Sequence, residues 1–200
     1  FQVVETFTAA PLNMVSGICD MELVEQGGKT VLYTATRAGG GVLALNVDAA
    51  MSLVDQRVTA PGSTLAAPAT VEILTVNGAP QLVVTGASLS GVQGMALQTG
   101  GTLAAPTSLA GSLSGTLSAQ TTVTIGGVTY FYAARAGEST IYAYSVAANG
   151  TMTPLGSKVL GGTLPGIDLT ELTTVTVGGQ TFLVSLSLTG DLMRVFPIGA

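Results

Sequence analysis

The sequence contains no histidine and no tryptophan, only one cysteine and few charged residues. Without histidine, neither Ser-His-Asp nor Cys-His catalysis is available, and the usual zinc sites are excluded. Cys19 has no second cysteine with which to form an intrachain disulfide, and we expect it to act as a small apolar residue at the start of a strand. These absences remove the most familiar hydrolytic machinery and leave carboxylates as the acids and bases of interest.

Charge is scarce and slightly negative. Charged residues make up 8% of the chain, and eleven Asp and Glu against six Lys and Arg give a net charge of −5. With no basic cluster, nucleic acid is not an expected partner. No apolar run reaches the roughly 18 residues of a membrane-spanning helix, so membrane insertion is not expected either. The 47% hydrophobic content is ample for a core.

The sequence repeats with a period of about fifty residues. The repeat is marked by pairs of small turn residues at 27–28, 77–78, 126–127 and 178–179. In the third repeat, short β-branched or aromatic runs lie at 121–125, 128–134, 140–146 and 152–159, separated by turns. The first repeat has the same order of runs at 21–26, 29–36, 42–47 and 52–59, and the second at 70–76, 81–85, 91–97 and 102–109. Pro106 lies in the last of these runs, where an edge strand tolerates proline. Four short strands per period are typical of a β-propeller blade. The sequence therefore predicts an all-β propeller.

The termini predict how the ring closes. The fourth repeat offers three strands, at 172–177, 180–186 and 192–197, and residues 3–11 resemble 53–61, the last strand of the first repeat. We expect one domain of four blades with four antiparallel strands each, in which the N-terminal strand closes the last blade. The repeats run over about 15–62, 63–111, 112–161 and 162–200 plus 1–11. A segment of a larger propeller and another β repeat, such as a solenoid, remain alternatives.

Three segments carry a resemblance to known repeats. Tyr130–Leu155, with a second copy in residues 31–48, resembles the blade of lactonase-like (YVTN-type) propellers. Residues 178–184 resemble a step in the propeller repeats of secreted bacterial RTX-type calcium-binding proteins. The lactonase-like enzymes usually have seven blades, and the RTX glycine-aspartate nonapeptides are absent here. Leu164 stands where that motif needs glycine, so the resemblance does not imply calcium binding.

Carboxylates recur on the predicted inner strands, which line the central channel of a propeller. The candidates for an ion site at the channel mouth are Asp20, Glu22, Glu72, Asp168 and Glu171. Clustered carboxylates repel one another unless a cation or water separates them. No motif requires a cofactor, and calcium or sodium is the candidate ion. The alternative is a solvated polar rim.

The loops between second and third strands are candidates for binding, because loops on a rigid scaffold commonly carry function. Two arginines recur at the same phase of the repeat, and the candidate residues are Arg37, Arg135, Glu138 and Asp191. The alternative for the arginines is a structural hydrogen bond to carbonyls of the neighbouring blade.

These features favour a non-catalytic binding or structural module of an extracellular or cell-surface bacterial protein, contacting a glycan or a protein through its loop face. The resemblance implies, as an alternative, a lactonase-like hydrolase that uses channel carboxylates and a bound cation. A third possibility is an architectural subunit of a surface or appendage assembly. Enzymatic activity is the less favoured expectation.

Because the sequence begins with Phe1, we expect either a removed leader or a segment of a longer protein.

Overall fold

A computed structural model describes residues 17–36, 41–47, 53–58, 68–86, 91–98, 101–110, 113, 115–160, 169–187 and 192–199. These residues form fifteen strands, and none of the described segments is a helix long and apolar enough to cross a membrane. The strands form four separate antiparallel sheets in which sequence neighbours pair. The expected all-β meanders are confirmed.

The four sheets follow the chain order. Sheet 1 contains β1 (Ile18–Gln26), β2 (Lys29–Thr36), β3 (Gly41–Val47) and β4 (Leu53–Val58). Sheet 2 contains β5 (Pro68–Val76), β6 (Ala79–Gly86), β7 (Val92–Ala96) and β8 (Thr107–Ala110). Sheet 3 contains β9 (Leu117–Ile125), β10 (Val128–Arg135), β11 (Thr140–Val146) and β12 (Met152–Val159). Sheet 4 contains β13 (Leu169–Val177), β14 (Gln180–Ser187) and β15 (Leu192–Ile198).

A two-residue turn joins the first and second strands of every sheet. Both turn residues have positive φ: Gly126 and Gly127 at 58° and 81°, and Asn77 and Gly78 at 51° and 77°. This is the type I′ geometry, whose twist matches that of the flanking strands and which glycine and asparagine tolerate best. The small-residue pairs in the sequence therefore fix the register of each first hairpin.

A β-bulge recurs near the start of three inner strands. The pairing register skips one residue at Cys19 in β1, at Ser118 in β9 and at Thr170 in β13. Each of these side chains lies 3.4–3.5 Å from a carbonyl oxygen of the second strand and donates to it. Cys19 was expected to act as a small apolar residue, but its side chain is exposed and its thiol occupies a donor position.

The predicted strands agree with the observed ones to within four residues at each end, except at the end of sheet 2. The sequence predicted a strand over residues 102–109, but only Leu103 bridges to Leu97 before β8 begins at Thr107. Proline lacks an N–H group and has a fixed φ, so Pro106 interrupts the ladder.

The chain divides into two compact units. Unit 1 comprises residues 1–74 and 79–114, and unit 2 comprises 75–78 and 115–200. In unit 1, sheets 1 and 2 pack face to face around Tyr33, Val84 and Met95, all fully buried. In unit 2, sheets 3 and 4 pack around Ala134, Leu172 and Leu183. Stacked antiparallel meanders of this kind are what propeller blades require.

Two expectations, one about ring closure and one about the number of domains, remain predictions. Residues 3–11, the expected closing strand, lie outside the described residues, and within the described part sheet 4 has three strands where the other sheets have four. The single-domain organisation is likewise not tested by the division into two units.

The type I′ turns generate a prediction about stability. Replacing Gly127 by valine should destabilise the protein by about 1–2 kcal/mol, because a β-branched residue resists positive φ. No atom lies within 4 Å of a Cβ built at Gly127, so the cost is conformational rather than steric. Gly127→Asn is the matched control and should cost clearly less, as measured by urea unfolding. Equal losses in both variants would contradict the role of positive φ.

Candidate functional site

Two acidic side chains lie on the same face of the inner strand β1. Asp20, Glu22 and Val24 alternate with exposed residues along the strand, and Val24 packs against the core between sheets 1 and 2. Since alternate residues of a strand share a face, both carboxylates lie on the side of sheet 1 that packs against sheet 2. Met21, on the opposite face, is 57% exposed.

Backbone amides hold the Asp20 carboxylate in place. Its Oδ2 accepts a hydrogen bond from the Val71 N–H at 2.9 Å, and its Oδ1 accepts one from the Met21 N–H, also at 2.9 Å. Val71 lies on β5, so the bond joins the inner strands of sheets 1 and 2. A carboxylate is well suited to this position, because both oxygens act only as acceptors when it is ionised.

Burial raises the pKa of both carboxyls. Desolvation is the main cause for Asp20, and the bonds from the Val71 and Met21 N–H groups oppose it in part. For Glu22, desolvation is again the main cause, and the adjacent Asp20 charge raises its pKa further. Glu22 pairs across the hairpin with Tyr33, which is fully buried and whose own pKa burial raises to about 12. The two acids thus share a partly dehydrated environment next to an aromatic residue.

Glu72, the other expected channel carboxylate of unit 1, does not join this pair. Val71 and Ile73 pack into the core between sheets 1 and 2, so Glu72, between them, lies on the opposite face of β5. Glu22 and Glu72 occupy equivalent positions of the repeat and therefore point in the same sense rather than toward each other. Glu171 is exposed on β13, and Asp168 lies outside the described residues.

In the described part of the chain, no three carboxylate or thiol side chains are grouped so as to hold a metal ion. The ion site at the channel mouth therefore remains a prediction.

A second polar cluster lies at the loop between β10 and β11. The Arg135 guanidinium lies 4.6 Å above the Tyr142 ring and donates to the Tyr142 hydroxyl at 3.2 Å. That hydroxyl donates to Glu138 Oε2 at 2.7 Å, and Arg135 and Glu138 form an ion pair at 3.6 Å. The bond to Glu138 is the main cause of the raised pKa of Tyr142, and burial adds to it.

This cluster contains two of the four residues predicted for the loop face. The structure brings Arg135 and Glu138 together, whereas Arg37 and Asp191 lie outside the described residues. Arg135 uses one guanidinium nitrogen to bond within its own sheet, where a bond to a neighbouring blade was the expected structural alternative. Sequence reasoning missed Tyr142 as the third member. The sequence carried part of the signal, because it predicted that Tyr142 lies on the strand following that of Ala133, and the structure pairs these two residues directly.

Blade-like meanders stacked face to face define a β-propeller, and solved structures confirm this class. An exo-β-1,3-galactanase from Phanerochaete chrysosporium, solved with β-1,3-galactotriose, matches with a TM-score of 0.61 at 11% identity, over 92% of this chain and 47% of the galactanase. A β-xylosidase matches with a TM-score of 0.63 at 12% identity, over 90% of this chain and 69% of the xylosidase. An α-L-arabinofuranosidase from Lactobacillus brevis matches with a TM-score of 0.57 at 14% identity, over 90% of this chain and 71% of that enzyme.

These structural similarities concern the fold alone. At such low identity they show the fold, and the chain spans about half the length of the galactanase. No protein-family model matches the sequence, and no curated protein matches it significantly.

The matches correct the functional expectations from sequence. A non-catalytic binding or structural module is contradicted, because the propellers named above are glycoside hydrolases. The same finding overturns the alternatives of a lactonase-like hydrolase and an architectural subunit. The resemblance to YVTN-type and RTX-type repeats was right about the propeller, but the lactonase-like type gains no support.

The raised pKa of Glu22 predicts a pH-dependent stability. A carboxyl whose pKa is raised in the fold contributes stability that is fully present below its unfolded value of 4.5 and is lost as the pH rises through the folded value. Glu22→Gln should therefore raise the melting temperature at pH 7, by about 1–3 °C for a half-buried group, and by much less at pH 4.

Glu25→Gln is the matched control for this measurement. Glu25 lies exposed on the other face of β1, where its Oε1 accepts a hydrogen bond from the Thr30 hydroxyl at 2.5 Å. The Glu25→Gln substitution removes the same charge from an exposed position, so it should not reproduce the rise in melting temperature at pH 7. Thermal melts of the three proteins at both pH values decide the matter. A Glu22→Gln variant that is equally shifted at pH 4 and pH 7 would refute the burial argument.

Proposed function

We propose that the chain is a propeller module that hydrolyses glycosidic bonds, with Asp20 and Glu22 as its reacting carboxyls. The observation that carries the proposal is the pair itself: two carboxyls on one face of an inner strand, each with a raised pKa. Glycoside hydrolysis needs two carboxyl groups, of which one must hold a proton near neutral pH. It does not need histidine, which this chain lacks.

The environments of the two carboxyls support different roles. Asp20 accepts two backbone N–H groups, which favour its ionised form, so it acts as the carboxylate. Burial raises the pKa of Glu22, and the charge of Asp20 raises it further, which favours Glu22 for the role of general acid. The acid would protonate the leaving oxygen, and the carboxylate would activate water or stabilise the positive charge on the sugar.

The proposed substrate is a neutral glycan. The structural matches include a β-1,3-galactanase, a β-xylosidase and an α-L-arabinofuranosidase, which supports sugars of this kind. A net charge of −5 spread over few charged residues does not repel an uncharged chain. An extracellular location remains part of this proposal.

An activity assay tests the proposal directly. The chain should release 4-nitrophenol from at least one of the 4-nitrophenyl β-galactoside, β-xyloside and α-arabinofuranoside, or shorten a galactan or xylan oligosaccharide. Glu22→Gln should reduce kcat at least about 100-fold, because a general acid contributes this much or more. Asp20→Asn should reduce it at least as strongly and should also lower the melting temperature, since an amide nitrogen cannot accept a backbone N–H group.

Glu25→Gln again provides the control, because Glu25 sits on the same strand but faces away from the pair. It should retain the wild-type kcat. A folded wild-type protein that cleaves none of these substrates would overturn the proposal. So would an equal loss of activity in Glu25→Gln and Glu22→Gln.

A further inference from the structure

A cavity of about 410 Å³ lies within unit 2, between sheets 3 and 4. Its apolar walls come from both sheets, with Ile141 on β11 facing Leu183, Phe196 and Ile198 on β14 and β15. A volume of this size falls in the range of sites for small molecules. None of the residues assigned above to glycoside hydrolysis lines the cavity.

Small residues on two paired strands leave this space open. Ala143 on β11 pairs with Gly156 on β12, and both line the cavity. The register shifts next to this pair, and the intervening Leu155 also lines the cavity. No atom lies within 4 Å of a Cβ built at Gly156, so the space beside it is empty of protein. The cavity therefore exists because small residues occupy these two positions of the sequence.

The three polar residues that line the cavity, Tyr132, Ser157 and Lys158, all have side chains that can donate hydrogen bonds. Tyr132 contributes a phenol whose pKa burial raises, which keeps its hydroxyl protonated, and Lys158 contributes an ammonium. Among the described residues that line the cavity, Lys158 carries the only charge and no carboxylate is present. A positive group is notable in a chain with a net charge of −5. The site therefore offers aromatic and aliphatic surface at its walls and complements a negative group.

We propose that this cavity binds a small aromatic carboxylate, with its ring between Tyr132 and Phe196 and its carboxylate at Lys158. Aromatic rings gain from offset contact with other aromatic rings in addition to the burial of their area. A carboxylate gains a charge-assisted hydrogen bond from an ammonium group. The inference does not rest on the proposed hydrolase activity, because it uses only residues of unit 2.

Titration with 2-naphthoate tests the proposal on the whole chain. The protein has no tryptophan, so naphthoate fluorescence can be followed with little protein background. We expect saturable binding of one molecule per chain. The neutral analogue 2-naphthamide should bind at least about fivefold more weakly, because it carries no negative charge to pair with the Lys158 ammonium group. Equal affinity of the acid and the amide for the wild-type protein would overturn the proposal.

Two variants locate the binding. Lys158→Met should weaken naphthoate about fivefold and leave naphthamide unchanged, whereas Lys29→Met, an exposed lysine of β2 outside the cavity lining, should change neither. Ala143→Phe should abolish binding of both by filling the cavity. Thermal melts establish that each variant is folded. Binding that survives Ala143→Phe, or falls equally in the two lysine variants, would refute a site in this cavity.

Discussion

The two-residue turn between the first and second strands is the constraint on which the candidate site depends. With both residues at positive φ, the turn leaves the hairpin a single register, so each residue of the inner strand has a fixed partner and a fixed face. A slip of one position would move Asp20 and Glu22 to the face that Met21 now occupies. The carboxyl pair exists because Gly27 and Gly28 end the strand where they do.

The chemistry proposed here follows from what burial does to a carboxyl in a chain without histidine. Lack of imidazole excludes acyl-transfer triads, but it has no bearing on reactions that need one protonated and one ionised carboxyl. The fold supplies the difference between the two acids: Asp20 receives backbone N–H groups, while Glu22 receives mainly desolvation and the charge of its neighbour. The same alternation that builds the sheet thus provides two acids with distinct environments.

Much of the fold could be predicted from the sequence, because it is local. The turn pairs and the alternation gave fourteen of the fifteen strands to within four residues at each end, and β8 was shortened by a proline whose effect on the ladder was underestimated. The site was less predictable, because the face of a side chain depends on the packing of neighbouring sheets. Glu22 and Glu72 share a repeat position, and this was taken to bring them together. Rotation from blade to blade instead leaves them pointing in the same sense. Function was the weakest inference, since blade motifs report architecture rather than chemistry.

The recurring bulge has a practical consequence. Cys19, Ser118 and Thr170 occupy the same place in three inner strands and direct a thiol or a hydroxyl to the same kind of carbonyl. The other blades therefore show that an oxygen donor is accommodated where the sulfur stands. Serine at position 19 would give a cysteine-free background, into which one reporter thiol could be introduced anywhere for spectroscopic labelling.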